Sequence, residues 1–354
     1  MTTPPSETPT SIPSPTPEAP PAPPAGLAGT EGSAPAAPSR RLGTRLSLVG
    51  LAVSALALAG VVWWALRQEP PRFPSTVAQW ASLALAVALY GVATLVRGER
   101  WQRLLVHDGA HPRRIDSQAL NVVGYMGNNV LPARAGDAIR VVLMAPLAQT
   151  SMRTVVGTLL AERLLDIAVL LVLFVVVGYG VLGEVGADKV ELVALFAAAI
   201  AAAIGLAVVL VRRNRRLHDF VAPMLSATLK LRGRHGALML VATCLIWGLE
   251  TLVWMSVGDA VGFDMGALEG AYLVALASVF ALIPSGPGYA GTQDAAVAIG
   301  VKALGGTGSQ AIAYLLMLRF VLIVPITIAG FVLLVMRYGG LSRLRQARAQ
   351  APTG

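Results

Sequence analysis

Asn128-Asn129-Val130-Leu131-Pro132-Ala133-Arg134-Ala135-Gly136-Asp137-Ala138-Ile139-Arg140 interrupts a chain whose other apolar runs continue for about 20 residues each. A helix does not pass unbroken through Pro132, and the backbone groups it frees at membrane depth are tolerated only where protein or a watered cavity satisfies them. The surrounding segment, 117–150, is moderately apolar but carries Arg134, Asp137 and Arg140 around its break. It therefore reads as a hairpin that enters and turns back rather than as a span. A second stretch, 268–305, is broken in the same manner by Pro284, Gly286, Pro287, Gly288 and Gly291. The two turns, Pro132 to Gly136 and Pro287 to Gly291, share a PxxAG pattern and are followed by Asp137 and Asp294.

Around these hairpins lie six long apolar stretches, at 46–66, 76–96, 154–182, 190–211, 237–257 and 310–336. Of the 354 residues 55% are hydrophobic and 13% charged, half the charged fraction of a typical soluble domain, which assigns the chain to the membrane class. The expected fold is an all-α integral membrane protein with about six spanning helices and two oppositely oriented re-entrant hairpins, with a possible inverted repeat.

The charges of the connecting segments set the orientation. Arg40, Arg41 and Arg45 precede the first span, and Arg97, Arg100, Arg103, Arg113 and Arg114 follow the second. The 212–236 and C-terminal segments are also rich in arginine, whereas 183–189 and 258–267 are not. By the positive-inside rule both termini are cytoplasmic, and the hairpins enter from opposite faces. Trp63, Trp64 and Trp80 are expected at the outer interface and Trp101 at the inner one. Residues 1–39 hold 12 of the 23 prolines and read as a disordered cytoplasmic tail, 40–340 as the membrane domain, and 341–354 as a short basic tail.

The net charge of +9 is carried by residues flanking apolar runs, with no interleaved aromatics for stacking bases, so anionic lipid rather than nucleic acid is the expected partner. A single cysteine, Cys244, excludes a disulfide framework, and the four histidines form no metal cluster. No cofactor is expected, and no phosphate-loop motif of the GxxxxGK[ST] type occurs.

The residues that carry chemistry are those charged groups placed where hydrocarbon is expected. Arg134, Arg140, Arg163 and Arg319 can each offer a guanidinium fork to a phosphate, and helix N-termini after Pro132 and Pro287 can add backbone donors. Asn128 joins them as a headgroup contact, or else it and Asn129 bond backbone groups freed by the break. Asp137, Glu162, Asp166, Glu250 and Asp294 read as an ion network or as coupling groups, since an unpaired charge at membrane depth costs roughly 3 kcal/mol. Glu162 and Asp166 share one helix face, and Glu250 is free to pair with Arg319 or with the Glu162 group. Asp294 has helix capping as its alternative task. Pro132, Gly136, Pro287, Gly288 and Gly291 make the turns.

The stretch Asn128 to Arg140 resembles the signature of the lysylphosphatidylglycerol synthase transmembrane, or flippase-like, family. Ala161 to Asp166 resembles that family's following helix, and Pro287 to Asp294 its late proline-glycine motif, the similarity covering about residues 45–340. Asp137 and Asp294 stand where glutamate is expected, which keeps the charge and shortens its reach. The resemblance implies a multi-pass protein of a prokaryotic inner membrane that handles lipid headgroups. The family's synthases carry a soluble transferase domain after the membrane part; only 337–354 follow here, so that module is not expected. The expected function is a non-enzymatic lipid translocase that binds a phospholipid or polyprenyl-phosphate headgroup in a midplane cavity. The alternatives are an accessory subunit of an envelope-synthesis enzyme and an intramembrane transferase acting on a lipid carrier.

Overall fold

The computed structural model describes residues 40–131, 135–182, 230–281 and 286–339, together with positions 205, 209, 213, 214 and 228. Both tails, Pro132, Arg134 and almost all of the expected span 190–211 lie outside the described residues. All the described elements are helical: α1 (Arg40–Ala65), α2 (Val77–His107), α3 (Arg114–Val130), α4 (Ala135–Leu147), α5 (Met152–Leu182), α6 (Gly233–Ala260), α7 (Ala267–Phe280), a 3-10 turn (Pro287–Tyr289), α8 (Thr292–Ala303) and α9 (Gly308–Tyr338). Among the described residues α2, α6 and α9 are long and apolar enough to cross a membrane.

The helices begin where the sequence supplies caps. Thr76 and Gln79 form a capping box before α2, and Thr307 and Gln310 repeat it before α9, each satisfying donors that a helix start leaves open. α9 ends on Gly339 in the left-handed conformation.

The order long–short–short–long occurs twice, as α2 to α5 and as α6 to α9. Exchanging α2 with α6, α3 with α7, α4 with α8 and α5 with α9 leaves the set of packed helix pairs unchanged: α3 lies on α9 as α7 lies on α5, and α2 touches α9 as α6 touches α5. At the centre α2 and α6 run antiparallel, for Arg97, Arg100 and His107 meet Glu250, Thr243 and His235 in turn. An axis relating the halves therefore runs across the helices, not along them.

Three apolar clusters among the described residues hold this arrangement. Leu83, Tyr90, Val253, Trp254, Leu273 and Tyr314 belong to one, Trp101, Leu120, Met144, Val155 and Leu334 to a second, and Leu104, Ala161 and Met239 to a third. In the first, the Tyr314 hydroxyl donates to the Trp254 carbonyl at 2.9 Å, so the ring is buried without an orphaned polar atom. The first hairpin closes on glycine: a Cβ on Gly136 would overlap the Gly124 carbonyl oxygen and lie 2.6 Å from the Asn128 nitrogen. Only at glycine can the α4 and α3 backbones meet this closely.

Two sequence expectations need correction. α2 does not stop at 96 but continues to His107, so Arg97 and Arg100 are buried helix residues rather than loop charges. Trp101, expected as an interfacial anchor, is fully buried; its Nε1 donates to Thr158 Oγ1 at 3.1 Å and the Arg140 guanidinium lies over its ring. Loop counting treats every arginine beyond an apolar run as solvated, and cannot register one whose charge is matched inside the bundle.

Candidate functional site

Each half places a short helix after its break and a long helix after that, and each pair is joined by an arginine and an aspartate. Asp137 is the third residue of α4 and Arg163 the twelfth of α5; Asp294 is the third residue of α8 and Arg319 the twelfth of α9. Arg163 Nη2 lies 3.1 Å from Asp137 Oδ2, and Arg319 Nη2 2.6 Å from Asp294 Oδ1. Asp294 also accepts the Gly291 N–H at 2.8 Å, the reach-back bond from the third residue of α8 to its N-cap, so it both holds the helix start and pairs. Arg319 further donates Nη1 to the Gly288 carbonyl at 3.0 Å, which ties the long helix to the second turn. That turn needs glycine, with Gly288 at φ +60° and Gly291 at φ +87°. α1 rests against it, since Ser54 Oγ donates to the Ala290 carbonyl and a Cβ on Gly291 would lie 2.7 Å from the Leu58 nitrogen.

A cavity of about 160 Å³ opens where the halves meet. Arg163, Arg319 and Asp294 line it, with Tyr90, Tyr125, Asn128, Trp247, Glu250 and Trp254. By the same measure one water needs roughly 10–15 Å³, so the space is large enough for several waters or a small polar group. On this wall Asn128 Oδ1, Trp247 Nε1 and Arg319 Nη2 are buried polar atoms without a hydrogen-bond partner among the described residues.

Behind the wall the remaining charges are matched. Arg100 grips Asp166 with two bonds, of 2.7 and 3.1 Å, and donates to Thr243 at 2.8 Å. Glu162 accepts from Arg140 at 2.9 Å and lies 3.7 Å from Arg100, while Arg140 approaches Asp137 at 3.8 Å. Arg97 meets Glu250 at 2.7 Å. Among the described residues, Arg97, Arg100, Arg140, Arg163 and Arg319 thus stand against Asp137, Glu162, Asp166, Glu250 and Asp294, five charges of each sign. Paired and hydrogen-bonded charges are the form in which a low-dielectric core accepts them.

A family model described as Lysylphosphatidylglycerol synthase TM region matches residues 47–330. The chain belongs to this family. It is a membrane protein of a group whose description ties it to lipid handling. No curated protein matches the chain.

Within this member of the lysylphosphatidylglycerol synthase TM family, the candidate residues fall into separate places. Arg163, Arg319, Asn128, Glu250 and Asp294 line one cavity, with Gly288 from the second turn. Arg140, Glu162 and Asp166 sit in the network behind it. Arg134 and Pro132 are outside the described residues, so the first turn contributes Gly136 and Asp137. Glu250 pairs with Arg97, not with Arg319 or the Glu162 group. Asn128 and Asn129 donate to the Asp137 and Thr327 side chains. Among the described residues no group of three or more metal-ligating side chains occurs. The sequence reading passed over Arg97, Arg100 and the cavity aromatics. Their signal was present: Trp247, Glu250 and Trp254 fall at i, i+3 and i+7, one face of α6.

Proposed function

We propose that this protein moves an anionic phospholipid or polyprenyl phosphate between the leaflets of a prokaryotic inner membrane. The observation that carries the reading is the repeated ion pair: Arg163 with Asp137 and Arg319 with Asp294, one in each half, with both arginines on the wall of one cavity. A phosphodiester between the two guanidinium groups takes a fork from each, while its chains remain outside among the lipids. The halves form an inverted repeat, with α3–α4 and α7–α8 as re-entrant hairpins of opposite polarity around six spans and cytoplasmic termini. Rocking one half against the other then exposes the same site to either leaflet in turn.

Transport is favoured over an intramembrane transferase because the ion pair is written twice and both copies face one cavity, as a site exposed alternately to two leaflets requires. The test is lipid translocation in proteoliposomes with fluorescent phosphatidylglycerol and a short polyprenyl phosphate, comparing wild type with R163Q and R319Q. Movement by wild type that both variants lose is the expected result. A folded wild-type protein that moves neither lipid sinks the reading and turns attention to a role beside an envelope-synthesis enzyme.

A further inference from the structure

The balance of charge around the cavity has a consequence for what travels with the lipid. The ion-paired groups among the described residues of the core are five positive and five negative, a sum of zero. An anionic headgroup that enters adds one negative charge. Arg319 Nη2, buried and without a hydrogen-bond partner among the described residues, is a donor open to it, and the guanidinium is then shared with Asp294, which Nε holds at 2.6 Å. The two carboxylates that would share a guanidinium with the headgroup are not equivalent. Asp137 has Arg140 at 3.8 Å and the Asn128 amide at 3.4 Å besides Arg163, so it keeps a cation and a donor when Arg163 turns to phosphate. Asp294 has Arg319 as its one ion-pair partner among the described residues, and is itself only 4% exposed. Once Arg319 is drawn away, Asp294 retains the Gly291 N–H and no cation.

We infer that lipid movement is coupled to protons, with Asp294 the acceptor: a headgroup binding Arg319 leaves its carboxylate to take one proton from water on the loading side. The proton is returned on the far side when the phosphate leaves and Arg319 closes again on Asp294. The inference rests on the translocation reading and names its coupling ion. Other ionisable groups around Asp294 agree with it. Arg319 approaches from α9; across the cavity are Arg163 from α5, Tyr90 from α2 and Tyr125 from α3, while Glu250 of α6 is held by Arg97 of α2, and Tyr289 lies in the turn. The one carboxylate among them already has its own cation and does not compete for Arg319. A buried carboxylate left without a cation is neutralised rather than kept ionised.

The experiment uses the full chain in liposomes of phosphatidylcholine with the interior at pH 7.5, a pH-sensitive dye inside, and the membrane potential clamped by potassium and valinomycin. Short-chain phosphatidylglycerol is added outside at pH 7.5 or 6.5, in sodium or in choline buffer. Wild type is expected to acidify the lumen as lipid enters and to run roughly tenfold faster at the lower outside pH, the ratio of proton activities. In D294N, whose amide oxygen can still accept the Gly291 N–H, lumen acidification is lost and the ratio falls to about one. D294E keeps the response. Lipid entry without acidification, a requirement for sodium, or a D294N protein that still acidifies the lumen each overturns the coupling while leaving translocation standing. Absence of lipid entry under every condition removes the translocation reading itself.

Discussion

Arg163 and Arg319 stand at the same position, the twelfth, of two helices separated by more than a hundred residues of chain, and each holds the aspartate at the third position of the preceding short helix. The chain separations from aspartate to arginine are 26 and 25 residues. One geometry, written twice, faces one cavity, and the translocation reading depends on both copies.

R163Q and R319Q are each expected to slow lipid movement by roughly 10–100-fold, the loss of one charge-assisted contact of about 1.5–3 kcal/mol. Initial rates in proteoliposomes check this. Equal rates in wild type and in the two folded variants would place the headgroup elsewhere.

Arg100 is a structural counterweight rather than a ligand contact, since it is 2% exposed and divided between Asp166, Glu162 and Thr243. R100M strands Asp166, while Glu162 keeps Arg140, and is expected to cost about 3–5 kcal/mol. R100M/D166L removes the stranded charge and costs less than R100M alone. Thermal unfolding in detergent micelles measures both; a double variant weaker than the single would contradict the pairing.

Close backbone approach at the first hairpin makes G136A destabilising by about 1–3 kcal/mol through overpacking. G248A is the control, because a Cβ there meets nothing within 4 Å. Unfolding temperatures should fall for the first and hold or rise for the second.

At the start of α3, Asp116 accepts from Arg113 at 2.9 Å and from Arg337 at 2.8 Å. Burial pushes its carboxyl up, but the hydrogen bonds and charges of the two arginines outweigh that and hold it below the usual carboxylate range. A lowered value in the folded state stabilises above the unfolded value, about 3.9, and the gain is lost as the pH falls through the folded one. Wild type should therefore exceed D116N in unfolding temperature at pH 7, and the gap should narrow on acidification towards pH 3. A gap that widens instead reverses the assignment.

Much of the helical framework was legible in the sequence because long apolar runs and proline-glycine breaks are local signals. The expected runs at 154–182, 237–257 and 310–336 fall inside helices, and that at 76–96 begins on the N-cap of one. Positions of the aspartates after the breaks were legible for the same reason. What could not be read was partnership. Glu250 and Arg97 are 153 residues apart in the chain and meet only because α2 and α6 lie antiparallel. Arg97 and Arg100 looked like loop charges because their counter-ions lie on α5 and α6, beyond the reach of any local pattern.

α1 bears on the second turn through two contacts: Ser54 Oγ donates to the Ala290 carbonyl, and the Leu58 nitrogen lies where a Cβ on Gly291 would come within 2.7 Å. The same turn is held by Arg319, which donates to the Gly288 carbonyl, and by Asp294, which accepts the Gly291 N–H. The second ion pair and α1 therefore grip one short stretch, Gly288 to Gly291, between them. A bulky substitution at Ser54, more than two hundred residues from Asp294 in sequence, is expected to be felt at the cavity wall.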